Sequence, residues 1–421
     1  MKKPNKKRTW WTRALGTGAM LTVSAVASAG FLPSMSEKPM AAWAMVYGTE
    51  APQQKPTMQL FGIMQPGYQY MQTEVPGKNT VTGASQFKFY RVRPGIRGSI
   101  GPNIDYYFLA QFDNNSPATS SASVLDGTVT LNYIPGVHVE VGQMIVPFAD
   151  EGSTAAGVLP WINYSPATYN ISYNDFTTNP AGNGIAGPTG NGQFNSARER
   201  GVMAFNQFRN GAMSLDYALG YFNDTGVSVS GPSMGHPDDL LGHVGVGLGP
   251  FAVAVGYEGG RQEMGPAPFA SYQQKKVSLD VHYGNYAKDP FWLWYEYQHA
   301  SDTQQPGANG DGLARGWFGA AGVRPAKHVM AVLRYSAYNS ENVVMVTPTL
   351  GGPGPVASYA FSGAGVATSL NQESLVGVYL ARKGVRYYLE LDHTTFNNTG
   401  APAANAVSVM LSVPFGARLL P

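Results

Sequence analysis

Residues Phe87–Phe112, FKFYRVRPGIRGSIGPNIDYYFLAQF, contain two alternating runs joined by a turn of three residues, GPN. In the second run Ile104, Tyr106, Phe108, Ala110 and Phe112 share one parity, and Asp105, Tyr107, Gln111 and Asp113 share the other, with Leu109 as an apolar exception. Side chains of a strand alternate between two faces, so this run is a strand with one apolar and one mostly polar side. In the first run Tyr90, Val92, Ile96 and Ile100 take the apolar parity, and Arg91, Arg93 and Arg97 take the opposite one. Pro94 removes a ladder donor and predicts a local bulge. Arginines on one face of a hairpin and large apolar groups on the other fit a wall between lipid and water.

The whole chain carries this signature. Its 421 residues are only 13% charged but 12% aromatic, with 51 Gly, 30 Pro and no Cys. That balance is poor in surface charge and rich in turn formers and interfacial rings; it also admits a Gly-rich secreted sandwich or propeller. The missing cysteines exclude disulfide frameworks and thiolate metal sites. The first 44 residues hold seven basic residues and one acid, Glu37, a +6 surplus that turns the chain's +2 into −4 for the remainder. No basic surface remains to recognise nucleic acid.

Lys2 to Arg13 followed by the mildly apolar Ala14 to Ala29 has the two parts of a secretory signal. A-x-A cleavage sites end at Ala29 and Ala44, and the second precedes the first strand more closely, so residues 1–44 read as a signal peptide and 45–421 as one barrel domain. A membrane-anchoring helix would need roughly 20 apolar residues, more than this run offers.

From Thr57 onward, sixteen candidate strands follow, ending at about residue 415. The strands read near 198–208 and 313–323 alternate poorly and rest on spacing. The short connections GPN, IPG, RNG, GP, NYAKD, RPAK and KG intervene between longer loops. Short turns and long loops therefore sort to opposite rims. The fold class is all-β: a transmembrane antiparallel barrel of 16 strands, both termini periplasmic, in the outer membrane of a Gram-negative bacterium. Closure is required because a flat sheet would expose unpaired edges to hydrocarbon. Phe415 ends a clean apolar face, yet Gly416 to Pro421 follow it, where most such barrels stop at the aromatic.

A sixteen-stranded barrel has a wide lumen, and the connection after the fifth strand, Pro147 to Ala197, is far longer than an ordinary loop. It is predicted to fold inward, with Asp150, Glu151, Trp161, Tyr164, Tyr169, Tyr173 and Asp175 forming a constriction; its Gly-rich part, Asn179 to Gly192, also suits a surface loop. Arg91, Arg93 and Arg97 are predicted to line the pore as a column, about 7 Å per step, with Asp105 and Asp113 beside them. Those acids could pair with the arginines and stiffen the wall instead.

The segment VHVEVGQMIVPFADEG, Val137 to Gly152, resembles the phosphate-selective porin O and P family at Val141, Gly142, Gln143, Pro147, Phe148 and Glu151. The strand with Arg91 and Arg93, ARERGVM from Ala197 and YALGYFND from Tyr217 are similar to that family's pattern too. The resemblance implies a homotrimeric sixteen-stranded porin, surrounded by membrane lipid and lipopolysaccharide, whose lumenal arginines guide small anions such as phosphate. The lysine-rich constriction of strongly phosphate-selective members is missing, since the long loop has no Lys.

Enzyme chemistry has little support. The seven histidines, His282 included, are scattered without H-E-x-x-H spacing, there is no G-x-S-x-G elbow, and no cofactor is implied. Passive diffusion of ions and small hydrophilic solutes, with an anion lean, is the function expected. A barrel with mainly an adhesion or envelope-scaffold role is the alternative.

Overall fold

The computed structural model is a closed antiparallel barrel of sixteen strands in which every strand pairs with its neighbours in sequence and β1 pairs with β16. The structure describes residues 56–74, 81–112, 123–155, 157–173, 198–210, 212–223, 238–264, 270–302, 312–341, 369–396 and 403–420. The segment read as a signal peptide lies outside them. In order the strands are β1 Met58–Glu74, β2 Val81–Gly101, β3 Ile104–Gln111, β4 Ser123–Ile134, β5 Val137–Ile145, β6 Arg198–Asn210, β7 Met213–Asn223 and β8 Asp238–Leu248. They continue as β9 Phe251–Met264, β10 Ala270–Tyr283, β11 Phe291–Asp302, β12 Gly312–Ala326, β13 Val329–Glu341, β14 Ser369–Leu380, β15 Arg386–Phe396 and β16 Ala404–Leu420.

Alternation sets the inside and the outside. Along β15, Tyr387, Leu389 and Leu391 are exposed, whereas Arg386, Tyr388, Glu390 and Asp392 are buried toward the interior. Among the described residues the outer apolar face meets no other part of the chain, an arrangement stable only in lipid. Aromatic rings cluster on the rim of the short turns: Phe251 and Tyr283 lie 4.9 Å apart, Tyr283 and Phe291 6.2 Å, and Tyr379 and Tyr387 6.1 Å. Such a girdle marks a membrane–water boundary.

Three features depart from the sequence reading. The register of β1 and β2 shifts between Gln65 and Pro66, whereas Pro94 stays in register with Gly62. The bulge therefore belongs to Pro66, which has no N–H to give to the ladder. Tyr90 is the extra residue, so it turns inward beside Arg91 and is fully buried, not on the lipid face with Val92.

The weakly alternating strand β12 is regular in the structure, because its inner positions Ala314, Gly316, Phe318, Ala320 and Gly322 are apolar and buried. Its inner face packs against protein rather than water, which erases the polar half of the pattern. Finally, the residues after Phe415 continue β16. Gly416, Ala417 and Arg418 pair with Phe61, Leu60 and Gln59, and close the seam.

Deleting residues 416–421 should open that end of the seam and lower barrel stability by about 3 kcal/mol, given about 1 kcal/mol per lost backbone bond. Unheated gel migration after graded heating would read this as an earlier transition. Arg418→Ala, which keeps the backbone pairing, should melt like the wild type.

Candidate constriction and lumenal charges

After β5 the chain turns into the barrel. A short helix, α1 Asp150–Ser153, and a wide helical turn, Thr168–Tyr173, hold most of its local structure. A four-residue helix cannot persist alone, so the wall has to hold it. The wall supplies acceptors to its N-terminal amides. Glu151 N donates to Glu296 at 2.7 Å and Asp150 N to Asp280 at 3.4 Å. Further on, Ile162 N donates to Glu390 at 2.6 Å, while Arg386 and Tyr388 donate to the carbonyls of Val158 and Leu159, each at 3.0 Å.

Space for this crossing comes from glycines on the inner face. A Cβ on Gly256 would collide with the Phe148 carbonyl oxygen, and one on Gly316 would sit 2.6 Å from the Ala167 Cβ. Ser278 completes the first crossing by donating its hydroxyl to that Phe148 oxygen at 2.6 Å.

The loop's rings face the wall. Trp161 packs on Trp294 at 5.2 Å and edge-on to Phe318 at 5.5 Å, and Tyr286 stacks on Trp294 at 5.8 Å. These rings belong to one buried cluster that also includes Tyr164, Tyr169 and Trp292. Arg334 of β13 fixes the charged part. Its guanidinium lies 4.9 Å over the Trp161 ring, donates to Asn163 O at 2.7 Å, and pairs with Glu151 at 3.4 Å and Glu390 at 3.5 Å. Glu151 also accepts from Ser165 N at 3.0 Å. Burial pushes the Glu151 carboxyl above its ordinary 4.5, with Arg334 opposing that rise.

The predicted loop residues therefore come together as anchors. Asp150, Glu151, Trp161, Tyr164 and Tyr169 are all buried between loop and wall. Tyr173 ends the helical turn, with its side chain outside the described residues, as are Asp175 and Asp113. On β2, Arg91 and Arg93 are buried and Arg97 is half-buried, all on the inner face as the parity required. Each donates to a glutamine of a neighbouring strand: Arg91 to Gln65 at 2.9 Å, Arg93 to Gln111 at 2.8 Å and Arg97 to Gln59 at 3.0 Å. Asp105 instead accepts from Ser99 at 2.6 Å and Asn132 at 2.8 Å.

Lys88, which the sequence reading missed, extends the stripe; it donates to Gln69 at 3.0 Å and lies 4.4 Å over the Tyr90 ring. Arg91 touches the loop through the face of Tyr164, 5.5 Å away. Around the barrel from this basic stripe, β5 to β9 carry inner-face acids, namely Glu140, Glu199, Asp216, Asp239 and Glu258. Arg198 pairs with Asp126 at 3.0 Å, and His243 lies 3.0 Å from Asp216. Arg334, Glu296 and Glu390 were missed because they lie more than a hundred residues from the loop segments they hold. Their one sequence mark is a charged residue on the polar parity of its strand.

A closed barrel of sixteen strands with a loop folded onto its inner wall defines a porin-type channel. The Gram-negative porin family model matches residues 16–331, and the chain belongs to that family, which places it in the outer membrane. No curated protein matches the chain. Among solved structures it is similar to an anion-selective porin from Comamonas acidovorans at 14% identity, with a TM-score of 0.58 over 86% of this chain and 100% of that one. The outer membrane channel DcaP of Acinetobacter baumannii follows at 14% identity and TM-score 0.55, covering 86% of this chain and 98% of that one. OmpT of Vibrio cholerae, in a trimer form, aligns at 11% identity and TM-score 0.55 over 86% and 100% of the two chains. At these identities the likeness is one of fold. The family shown is the broad one; the matches do not reach the narrower phosphate-selective group.

Removing Arg334 leaves two buried carboxylates facing each other, a change that costs about 3–5 kcal/mol. Arg334→Ala should expose the loop to chymotrypsin at Trp161, Tyr164 and Tyr169 while the barrel still migrates as folded. Because the docked state raises the Glu151 pKa, it favours the protonated form. Docking is thus strongest below pH 4.5 and weakens as pH rises through the raised value. Near-UV circular dichroism of the tryptophan cluster should lose amplitude over that rise, and more steeply in Arg334→Ala.

Proposed function

We propose that this protein is a general diffusion porin for ions and small hydrophilic solutes, with a lean toward anions, phosphate among them. The observation that carries the reading is the inner-face stripe of Lys88, Arg91, Arg93 and Arg97. Each of the four donates to a glutamine oxygen, which holds it on the inner face. A column of fixed positive charge attracts anions and gives them successive sites. The inner-face acids of β5 to β9 oppose it across the barrel, so the lean is moderate: the field runs across the path as well as along it. The likeness in fold to a porin named anion-selective points the same way.

In this reading the mature chain begins after Ala44 or Ala29, and both ends of the barrel are periplasmic. Lipid and lipopolysaccharide surround the exposed apolar band. Assembly is as a homotrimer, like the trimeric form of its Vibrio cholerae neighbour in fold. The constriction is narrowed by the bulk of the docked loop, and selectivity comes from the β2 stripe more than from Asp150 and Glu151, which are held against the wall. Family membership favours a channel over the adhesion or scaffold role that the sequence also admitted.

The test is a planar-bilayer recording across a tenfold KCl gradient. The wild type should conduct in steps with an anion-selective zero-current potential. The Arg91, Arg93 and Arg97 triple alanine variant should conduct at least as well, with that potential collapsed toward zero or reversed. An unchanged potential would make the stripe structural, and a folded protein that fails to conduct would return the scaffold role to first place.

A further inference from the structure

We infer that the junction between the loop and β10 is a binding site for a divalent transition-metal cation of the Zn2+ type, held by Asp150, Asp280 and His282. One ligand atom from each of these buried residues lies within 4.8 Å of the others. Asp280 and His282 are two positions apart on β10 and share its inner face, and Asp150 comes down on them from α1. His282 Nε2 and Asp150 Oδ2 are 2.8 Å apart.

Two further observations point to a cation. First, Asp280 Oδ2 and Asp150 Oδ1 are buried and have no hydrogen-bond partner. Asp280 is fully buried; its other oxygen accepts a long bond from Asp150 N, at 3.4 Å, and its carboxyl also shares a hydrogen bond with that of Glu296. Second, Asp280 stands directly opposite Glu296 in the β10–β11 register, so two carboxylates face each other across a rung before Asp150 adds a third. Like charges so placed repel. Glu296 is already committed, with its oxygens taking Glu151 N, Thr168 and Gln298. The cluster therefore offers two buried carboxyl oxygens without a hydrogen-bond partner, Asp150 Oδ1 and Asp280 Oδ2, and one imidazole nitrogen.

That donor set suits a borderline divalent ion, which accepts imidazole and carboxylate together. On binding, the ion takes the place of the hydrogen between His282 Nε2 and Asp150, and the neutral imidazole ligates through Nε2 with its hydrogen carried on Nδ1. Since Asp150 belongs to the loop and the other two ligands to the wall, the ion would rivet the loop in place. The ring of Trp294, 4.8 Å from that of His282, provides a reporter.

The test uses the purified, EDTA-treated protein in detergent, titrated with Co2+ and then challenged with Zn2+. The expected result is one Co2+ per chain, with visible absorption bands and quenched tryptophan emission, both reversed by Zn2+. Asp280→Asn and His282→Gln should each weaken binding at least roughly tenfold. Trp294→Phe should bind normally while losing most of the quenching. Glu258→Gln, in the other acidic cluster of the inner face, formed by Glu199, Asp239 and Glu258, should bind as the wild type does. Should the β10 variants fail to assemble, the Trp294→Phe and Glu258→Gln results decide. No stoichiometric uptake, binding indifferent to both β10 substitutions, quenching that survives Trp294→Phe, or binding lost in Glu258→Gln would each overturn the site.

Discussion

Every backbone donor and acceptor that enters hydrocarbon has to be paired within the protein, and this structure depends on that constraint. A barrel meets it only when the last strand returns to the first. Here β16 runs to Leu420 and pairs along β1 as far as Met58. The residues beyond Phe415 thus provide the closing rungs. Once closed, the barrel has an outside that needs only to be apolar and an inside that the remaining sequence is free to specialise. Bulges are the local cost of that geometry, and each has an effect on the interior. The one at Pro66 brings Tyr90 and Arg91 to the same face, so an aromatic ring stands between Lys88 and the arginines.

The interior is divided between holding and lining. The described part of the long loop after β5 holds one short helix and one helical turn, and the wall positions it by accepting its amide hydrogens and donating to its carbonyls. Carboxylates from β10, β11 and β15 take the amides, and Arg386, Tyr388 and Arg334 take the carbonyls. Glu296 is tolerable on these terms because it accepts from Glu151 N, Thr168 and Gln298, and Glu151 and Glu390 because they pair with Arg334. Contact with the loop also explains why the inner face of β12 and the Trp292–Trp294 part of β11 are apolar. Trp292, Trp294 and Phe318 face the loop rather than water.

Much of the fold was legible because lipid and water impose opposite demands at each step of two residues. Arg91, Arg93 and Arg97 could be assigned to the inside from parity alone, and so could Glu390 and Asp392. The pattern failed at β12 for a physical reason: Phe318 and its neighbours are inside but dry, and a pattern of alternating polarity cannot tell a dry interior from lipid. Tyr90 was misplaced by one bulge, since a single extra residue inverts the parity of everything on one side of it. The anchoring partners were illegible for another reason. The pairing of Glu151 with Arg334 joins residues 183 apart, and no local spacing encodes it.

The fate of Asp150 and Glu151 changes how selectivity in this channel should be understood. From sequence they look like the acidic side of a constriction, opposed to the arginines. In the structure both are consumed at the wall: Asp150 against His282, and Glu151 between Arg334 and the Ser165 amide. Charges that are buried and paired act weakly on a passing ion, because their field is largely spent on their partners. The cations of β2 are held differently, by donating to glutamine oxygens of β1 and β3. In the function proposed above, loop position and ion preference are set by separate groups. On that proposal, substitutions at the anchors would act on how far the loop stays folded in, and hence on pore width, whereas substitutions on β2 would act on which ions enter. This separation lets the loop sequence vary in bulk without altering the sign of the field, provided that Arg334 and the carboxylates around it remain.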